Sequence, residues 1–278
     1  MYSTVQHILA VTASFATEVH HLQGRRVTPN APSNVGPSAW QPNSRHSVGE
    51  APDQASDSAD LLYHAAMRGA NCWARNHLGQ VRALPINRWM GGTASAPHDR
   101  LADDEMLALC NGKLTLDLGC GPGRFTASLQ QRGSAALGVD TSIAAVELTR
   151  LRGGTAIHGD LFAPLPGEGL WDRILLTDGN IGIGGDPVRT LRRAAALLAE
   201  GGVVIVEVDQ AHHRTLRHET LRWETAQQVG PWFPWSRVGA AALGEISAAA
   251  EFLVTSLVEI HSRVIAVLTP ASSLGQGS

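Results

Sequence analysis

The chain has no block of Lys or Arg: 22 basic and 25 acidic residues give a net charge of −3 over 278 residues. Gripping a phosphate backbone takes a basic patch or stripe, so DNA or RNA is not expected as a partner. Cysteine is scarce too. Cys72, Cys110 and Cys120 are odd in number, far apart and never in a C-x-x-C pair, which argues against a disulfide or zinc framework and suits a reducing, cytoplasmic setting. No run approaches the roughly 18 continuous apolar residues of a membrane helix, and a soluble chain is expected. Residues 8 to 16 are apolar, but no basic residue precedes them and Glu18 follows, so a secretory leader is not expected.

What is present is 44% hydrophobic and 17% charged residues, a balance that suits one core-forming domain with an appendage. Residues 1–56, rich in Pro, Ser, Asn, Gln and Gly, show neither helical nor strand periodicity. They read either as a disordered tail or as a stretch ahead of a later start. From Asp57 the pattern turns helical, with Asp57, Ser58 or Asp60 as caps before Leu61, Leu62, Ala65 and Ala66. Residues 57–110 are therefore expected to form a helical lead-in and lid segment, ending in a helix near 99–110.

After Lys113, apolar runs alternate with helical patterns, as in βαβ units with a parallel sheet covered on both faces. Strands are predicted near 114–118, 136–140, 155–158, 172–177 and 202–208. Asp186 and Pro187 form an N-cap and N1 pair, and Val188, Leu191, Ala195 and Leu198 make an apolar stripe. Gly201 and Gly202 are expected to end that helix. A helix at about 238–250 then leads to strands at 252–260 and 263–269, close enough to pair antiparallel. Residues 271–278 read as a flexible C-terminus.

The run Leu116, Asp117, Leu118, Gly119, Cys120, Gly121, Pro122, Gly123, Arg124 sets a short apolar strand against a glycine-rich turn. Such a turn lets backbone approach a ligand and aims helix N-terminal amides at it. A nicotinamide or flavin fingerprint, G-x-G-x-x-G, needs glycine where Arg124 stands. The pattern is instead D-x-G-x-G-x-G from Asp117 to Gly123, and it resembles motif I of the class I S-adenosylmethionine-dependent methyltransferases. Three further runs, at 135–140, 156–161 and 171–180, match that family in order. The run from about 60 to 268 also resembles methyltransferase-domain proteins of high-GC bacteria, which share a stretch like Leu84–Trp89 and an Asp178-Gly179-Asn180 bridge.

The resemblance implies an α/β fold: a Rossmann-like three-layer α/β/α sandwich with a seven-stranded, mostly parallel sheet, an antiparallel last strand and strand order 3-2-1-4-5-7-6. It makes residues 111–270 the methyltransferase domain, with S-adenosyl-L-methionine as cofactor. Gly119, Cys120, Gly121 and Gly123 would approach the methionine end, and Asp117 would support the loop or the amino group. Asp140, with Thr141, would take the ribose hydroxyls, and Asp160 and Leu161 would read adenine. Thr177 and Asp178 would lie beside the methyl being transferred. Asp140 and Asp160 also suit plain helix caps. Their joint arrival at the ends of strands two and three favours ligand contact.

Candidate catalytic residues are Asp178 and Asn180, in a glycine-dense bridge, and His212 in an insertion at about 209–238. His212 or His213 suits a general base, although a solvated histidine run is the plainer reading. No H-E-x-x-H spacing points to a metal. The stretch Gly230, Pro231, Trp232, Phe233, Pro234, Trp235 is either an aromatic substrate wall or a plug over the sheet. The Asn/Asp-Pro-Pro-Tyr/Phe motif and a Pro-Cys nucleophile of nucleic-acid methyltransferases are both missing, so a small-molecule acceptor methylated at O, N or C is expected. Two alternatives stand: a regulator that binds S-adenosylmethionine without catalysis, and a nicotinamide-dependent oxidoreductase.

Overall fold

A computed structural model describes residues 54–210 and 216–274. Its main element is a seven-stranded sheet built from β3 (Thr115–Leu118), β4 (Ala136–Asp140), β5 (Ala156–His158), β6 (Trp171–Leu176), β7 (Leu198–Val208), β10 (Phe252–Ile260) and β11 (Arg263–Pro270). The order across it is β10-β11-β7-β6-β3-β4-β5. The five strands from β5 to β7 run parallel, while β11 is antiparallel to β7 and β10 antiparallel to β11. Read from the other edge, this is the third, second, first, fourth, fifth, seventh and sixth strand in turn, the order expected above.

Strand parity builds the two faces. Leu116, Leu118, Ile174, Leu176, Val204 and Val206 point one way and join a core with Leu191 and Leu197 of α6 (Pro187–Leu197) and Leu243 and Ile246 of α7 (Leu243–Ala249). Their neighbours Leu175, Ile205 and Ile265 point the other way, onto Met106 of α3 (Pro97–Leu109) and Phe125 and Leu129 of α4 (Arg124–Gln131). Both faces are thus dry, which is why these strands read as continuous apolar runs rather than alternations. Burying each such Leu or Ile contributes on the order of 1.5–3 kcal/mol.

A second, four-stranded antiparallel sheet has the order β2-β1-β8-β9. It joins a hairpin from the lead-in, β1 (Trp73–Asn76) and β2 (Val81–Ala83), to a hairpin from the insertion, β8 (Leu216–Glu224) and β9 (Phe233–Val238). The lead-in is therefore not wholly helical. Between α1 (Gln54–Met67) and the short α2 (Ile86–Met90) it turns back on itself in strands of four and three residues, too short to declare a period of two.

Three boundaries also differ. α1 starts at Gln54, so Asp60 lies inside the helix rather than capping it; its Oδ1 accepts from Ser142 Oγ and Ala144 N at the start of α5 (Ile143–Leu151). Asp186 caps α6 as expected, accepting from Arg189 N, but the helix ends at Leu197 and β7 begins at once. Gly201 (φ 72°) and Gly202 lie within β7, where the register against β6 shifts. The helix expected from 238 starts at Leu243, because β9 runs to Val238 and Ala240–Ala242 forms a 3-10 turn. Residues 1–53 and 275–278 lie outside the described residues. No helix among those described is long and apolar enough to cross a membrane.

Candidate active site

The glycine loop leaves β3 and is sewn to the end of β4. Gly119 and Cys120 donate their amides to Val139 O at 2.8 and 3.1 Å, and Gly121 N donates to Asp140 Oδ2 at 2.8 Å. Gly119 has φ 75°, and a Cβ there would stand 2.5 Å from Asn180 Nδ2. That amide donates to Leu118 O and Gly119 O, both at 2.9 Å. Asn180 is thus occupied in holding the glycine loop against the end of β6. Gly123 serves packing: a side chain there would strike Thr149 of α5.

The loop floors a cavity of about 1040 Å³. Gly119, Cys120, Gly121, Asp140, Thr141, Asp160, Leu161, Thr177, Asp178 and Asn180 all line it; Asp117 and Gly123 do not. Asp117 is buried, its Oδ2 accepting from Thr126 Oγ1 at 2.8 Å, and burial pushes its carboxyl up to about 6. It supports the loop from beneath. Asp140 Oδ1 accepts from Ser142 N at 2.9 Å. Its two hydrogen bonds leave about half of a carboxylate's four lone-pair sites for a ligand. Asp160 is exposed and makes an Asx turn with Phe162 N at 2.9 Å. His212 and His213 lie outside the described residues, and His218 Nδ1 sits 2.8 Å from Ser236 Oγ and 3.0 Å from Gly185 O, on the strand framework.

Two features escaped the sequence. Tyr63 of α1 reaches the loop, its buried hydroxyl without a hydrogen-bond partner. Burial, then the charges of Asp140, Cys120 and Asp178, drive its phenol far above the ordinary range. The second is a buried network of arginines and carboxylates. Arg124 donates to Asp103 Oδ1 at 2.9 Å and to Asp178 Oδ2 at 2.6 Å. Arg263 donates twice to Glu207 at 2.7 Å and once to Asp103 Oδ1 at 2.6 Å, while Glu207 Oε2 accepts from Asp178 N at 3.0 Å. Arg88 Nε stands 3.2 Å from Asp99 Oδ1.

Burial alone would raise Glu207, but the hydrogen bonds and charge of Arg263 hold it below its usual value. For Asp178 burial prevails over Arg124, and its carboxyl is raised. Asp178 has a left-handed backbone (φ 54°) and a buried Oδ1 with no hydrogen-bond partner. With all groups ionised, the four carboxylates Asp99, Asp103, Asp178 and Glu207 outnumber the guanidiniums of Arg88, Arg124 and Arg263 by one negative charge. A cationic ligand suits that excess, since it favours the ionised form of a buried acid.

The roof is the four-stranded sheet. Ala74, Arg82, Leu221, Trp223, Phe233 and Trp235 share one of its faces by register and line the cavity. On the other face Glu224 accepts from Trp73 Nε1 at 2.8 Å, Arg75 Nε at 2.9 Å and Arg222 Nε at 2.7 Å. Arg75 foremost, then Trp73 and Arg222, hold its carboxyl down to about 2. The unfolded value is about 4.3. A folded value below the unfolded one gives stability that is complete above about pH 4.3 and lost as pH falls towards 2. Urea midpoints followed by tryptophan emission at pH 5, 4 and 3 should therefore drop, and Glu224→Gln should flatten that drop; parallel profiles for the two proteins would refute the assignment.

A family model described as a methyltransferase domain matches residues 87–257. The chain belongs to that family. Among solved structures it resembles a SAM-dependent methyltransferase from Bacteroides fragilis in complex with S-adenosyl-L-homocysteine, with TM-score 0.64 and 19% identity over 78% of this chain and 96% of that one. It also resembles the Burkholderia thailandensis 1,6-didemethyltoxoflavin-N1-methyltransferase with bound 1,6-didemethyltoxoflavin and S-adenosylhomocysteine, at TM-score 0.51 and 18% identity over 79% and 92% of the two chains. At these identities the likeness is one of fold, and the fold is the Rossmann-like one of the methyltransferases. A search of curated proteins found no match.

Proposed function

We propose that the protein transfers the methyl group of S-adenosylmethionine to an oxygen, nitrogen or carbon atom of a small-molecule acceptor. One observation carries this reading: the D-x-G-x-G-x-G loop, tied to Asp140, floors a cavity of about 1040 Å³ that Asp178 also lines and a separate sheet roofs. That volume lies at the top of the range for small-molecule sites, roughly 300–1,000 Å³, room for a donor and an acceptor together. Residues 57–110 and 209–238 form, in this reading, one acceptor-binding unit over the donor domain.

Gly119, Cys120 and Gly121 would hold the methionine end, Asp140 and Thr141 the ribose, and Asp160 and Leu161 the adenine. Bound there, the donor supplies an electrophilic methyl whose bond to sulfur breaks as the acceptor's lone pair bonds to carbon. The chain's own contribution is positioning, which can supply most of such an acceleration. Arg124 fixes Asp178 Oδ2 at 2.6 Å and so holds at the cavity wall a carboxylate that would favour the donor's positive charge. Tyr63 closes the donor end beneath the roof.

Calorimetric titration with S-adenosylhomocysteine is the test, with a nicotinamide dinucleotide as control. Wild type should bind the homocysteine product and not the dinucleotide. Asp140→Asn, which loses charge but keeps one acceptor oxygen, should weaken binding roughly tenfold, about 1.4 kcal/mol. A folded wild type that binds only the dinucleotide, or neither compound, would overturn the proposal.

A further inference from the structure

The roof of the cavity is made of an uncommon material for this chain. Aromatics are sparse: seven Trp, five Phe and two Tyr, fourteen in all. Eight of them line this one cavity, and five come from α2, β8, β9 and the turn between those two strands: Trp89, Trp223, Trp232, Phe233 and Trp235. The cores of the main sheet are built instead from Leu, Ile, Val and Ala, with Trp171, Phe252 and Phe125 as the aromatic members. A plug over the sheet needs only bulk, which aliphatic residues supply elsewhere in this molecule.

The rings form a connected surface. Trp223 and Phe233 meet edge to face at 6.2 Å and 86°, and Phe233 and Trp235 do so at 6.4 Å and 83°. Trp89 leans on Trp223 at 6.0 Å and 33°. Trp223 also stacks on Tyr63 at 5.7 Å and 25°, and residues 223, 233 and 235 line the cavity and are only half-buried. Ala74, directly across from Trp223 in the register, leaves space beside the indole that a larger side chain would fill. Charges at the two ends of this wall are paired, Arg82 with Glu219 at 3.2 Å and Arg237 with Asp209 at 2.7 Å, and Arg222, which lies 4.5 Å over the Trp232 ring, is paired with Glu224 at 2.7 Å.

We infer that the acceptor is a flat, uncharged aromatic or heteroaromatic ring compound held against Trp223, Phe233 and Trp235. This rests on the methyltransferase reading and narrows it. Offset or edge-to-face ring pairs gain about 0.5–1.5 kcal/mol beyond the area they bury. A saturated molecule of the same skeleton buries similar area without that gain. The wall therefore selects planarity, and the pairing of the terminal charges removes any incentive for an ionic substituent.

The test uses the protein saturated with S-adenosylhomocysteine and a matched pair of probes, 1-naphthol and its saturated counterpart 1-decalol, with binding read by ligand-observed NMR. Naphthol should bind about fivefold more tightly than decalol, the factor that one or two ring contacts provide. Phe233→Leu and Trp235→Leu, each checked for fold by circular dichroism and for retained product binding, should bring the two probes to within twofold. Equal binding of the probes to wild type overturns the inference and leaves the methyltransferase reading standing, as does a preference that both variants keep. If wild type does not bind the homocysteine product, the donor reading fails and this inference fails with it.

Discussion

Arg263→Met is expected to destabilise the protein by about 3–5 kcal/mol, the cost of stripping the partner from buried charge. Arg263 is 1% exposed and stands at the first position of β11. Its guanidinium satisfies both oxygens of Glu207 and one of Asp103 and donates to Asp99 O at 3.0 Å. Methionine fills much of the volume and supplies none of these donors. For a domain of this size each kcal/mol moves the melting temperature by roughly 2–4 °C, so calorimetry should show a fall on the order of 10 °C. A fall within about 2 °C, the shift of a single kcal/mol, would mean that the network does not hold the fold.

The pH dependence sharpens the test. In wild type Glu207 titrates below its unfolded value because of Arg263; its stabilisation is present above about pH 4.3 and is lost as pH falls below that. Without Arg263, burial dominates and the sign reverses, so the ionised carboxylate costs stability above that pH. The gap between wild type and Arg263→Met should therefore narrow below about pH 4. Adding Glu207→Gln to the variant should recover part of the loss, since the two side chains act as a pair.

Gly182→Ala should be nearly as severe for a different reason. A Cβ at Gly182 would stand 1.8 Å from the Ser236 carbonyl oxygen and 2.8 Å from its carbon. Both belong to the backbone of β9, so no side chain can swing aside, and the strand itself must retreat. Retreat breaks the Ile183–Trp235 bridge and carries Phe233 and Trp235 with it. It also disturbs the 3-10 turn Asn180–Gly182, whose asparagine holds the glycine loop. Overpacking costs typically 1–3 kcal/mol, and the upper end is expected here, in urea unfolding, together with weaker S-adenosylhomocysteine binding. Gly244→Ala in α7 is the control: nothing lies within 4 Å of its Cβ, and helix propensity should make it stabilising by about 0.5–1 kcal/mol. Equal effects at both positions would refute the steric argument.

The parallel sheet was legible because its strands are buried on both faces. Runs such as Arg173–Leu176 and Val203–Val208 carry their own signal, and Asp186 with Pro187 announces α6. That Asp140, Asp160 and Asp178 would gather on one side of a cavity was legible for another reason, since they stand at strand ends. The roof was not. Its first hairpin has strands of four and three residues, and β1 finds its partner, β8, about 150 positions later; no local periodicity encodes that. Arg263 stands at the start of a predicted strand, and only the fold brings Asp103 and Glu207 against it. Arg124 was visible only as a departure from a nucleotide fingerprint, and its use as the anchor of Asp178 needed the structure. Gly201 and Gly202 resembled a helix stop, yet the chain enters β7 before reaching them.

The pairing of β1 with β8 also sets an order of assembly. Its two strands bracket the first five strands of the main sheet, and closing so long a loop in an unfolded chain is entropically costly. Once the parallel strands have formed, the ends are already near each other and the cost has largely been met. The parallel sheet with its glycine loop is therefore expected to form before the aromatic roof closes over it. By microscopic reversibility, the roof is then also expected to be the first part to come undone. Because β9 bridges Ile183 through Trp235 and the adjoining turn carries the asparagine that holds the glycine loop, roof and floor are mechanically coupled, and what moves one is felt by the other.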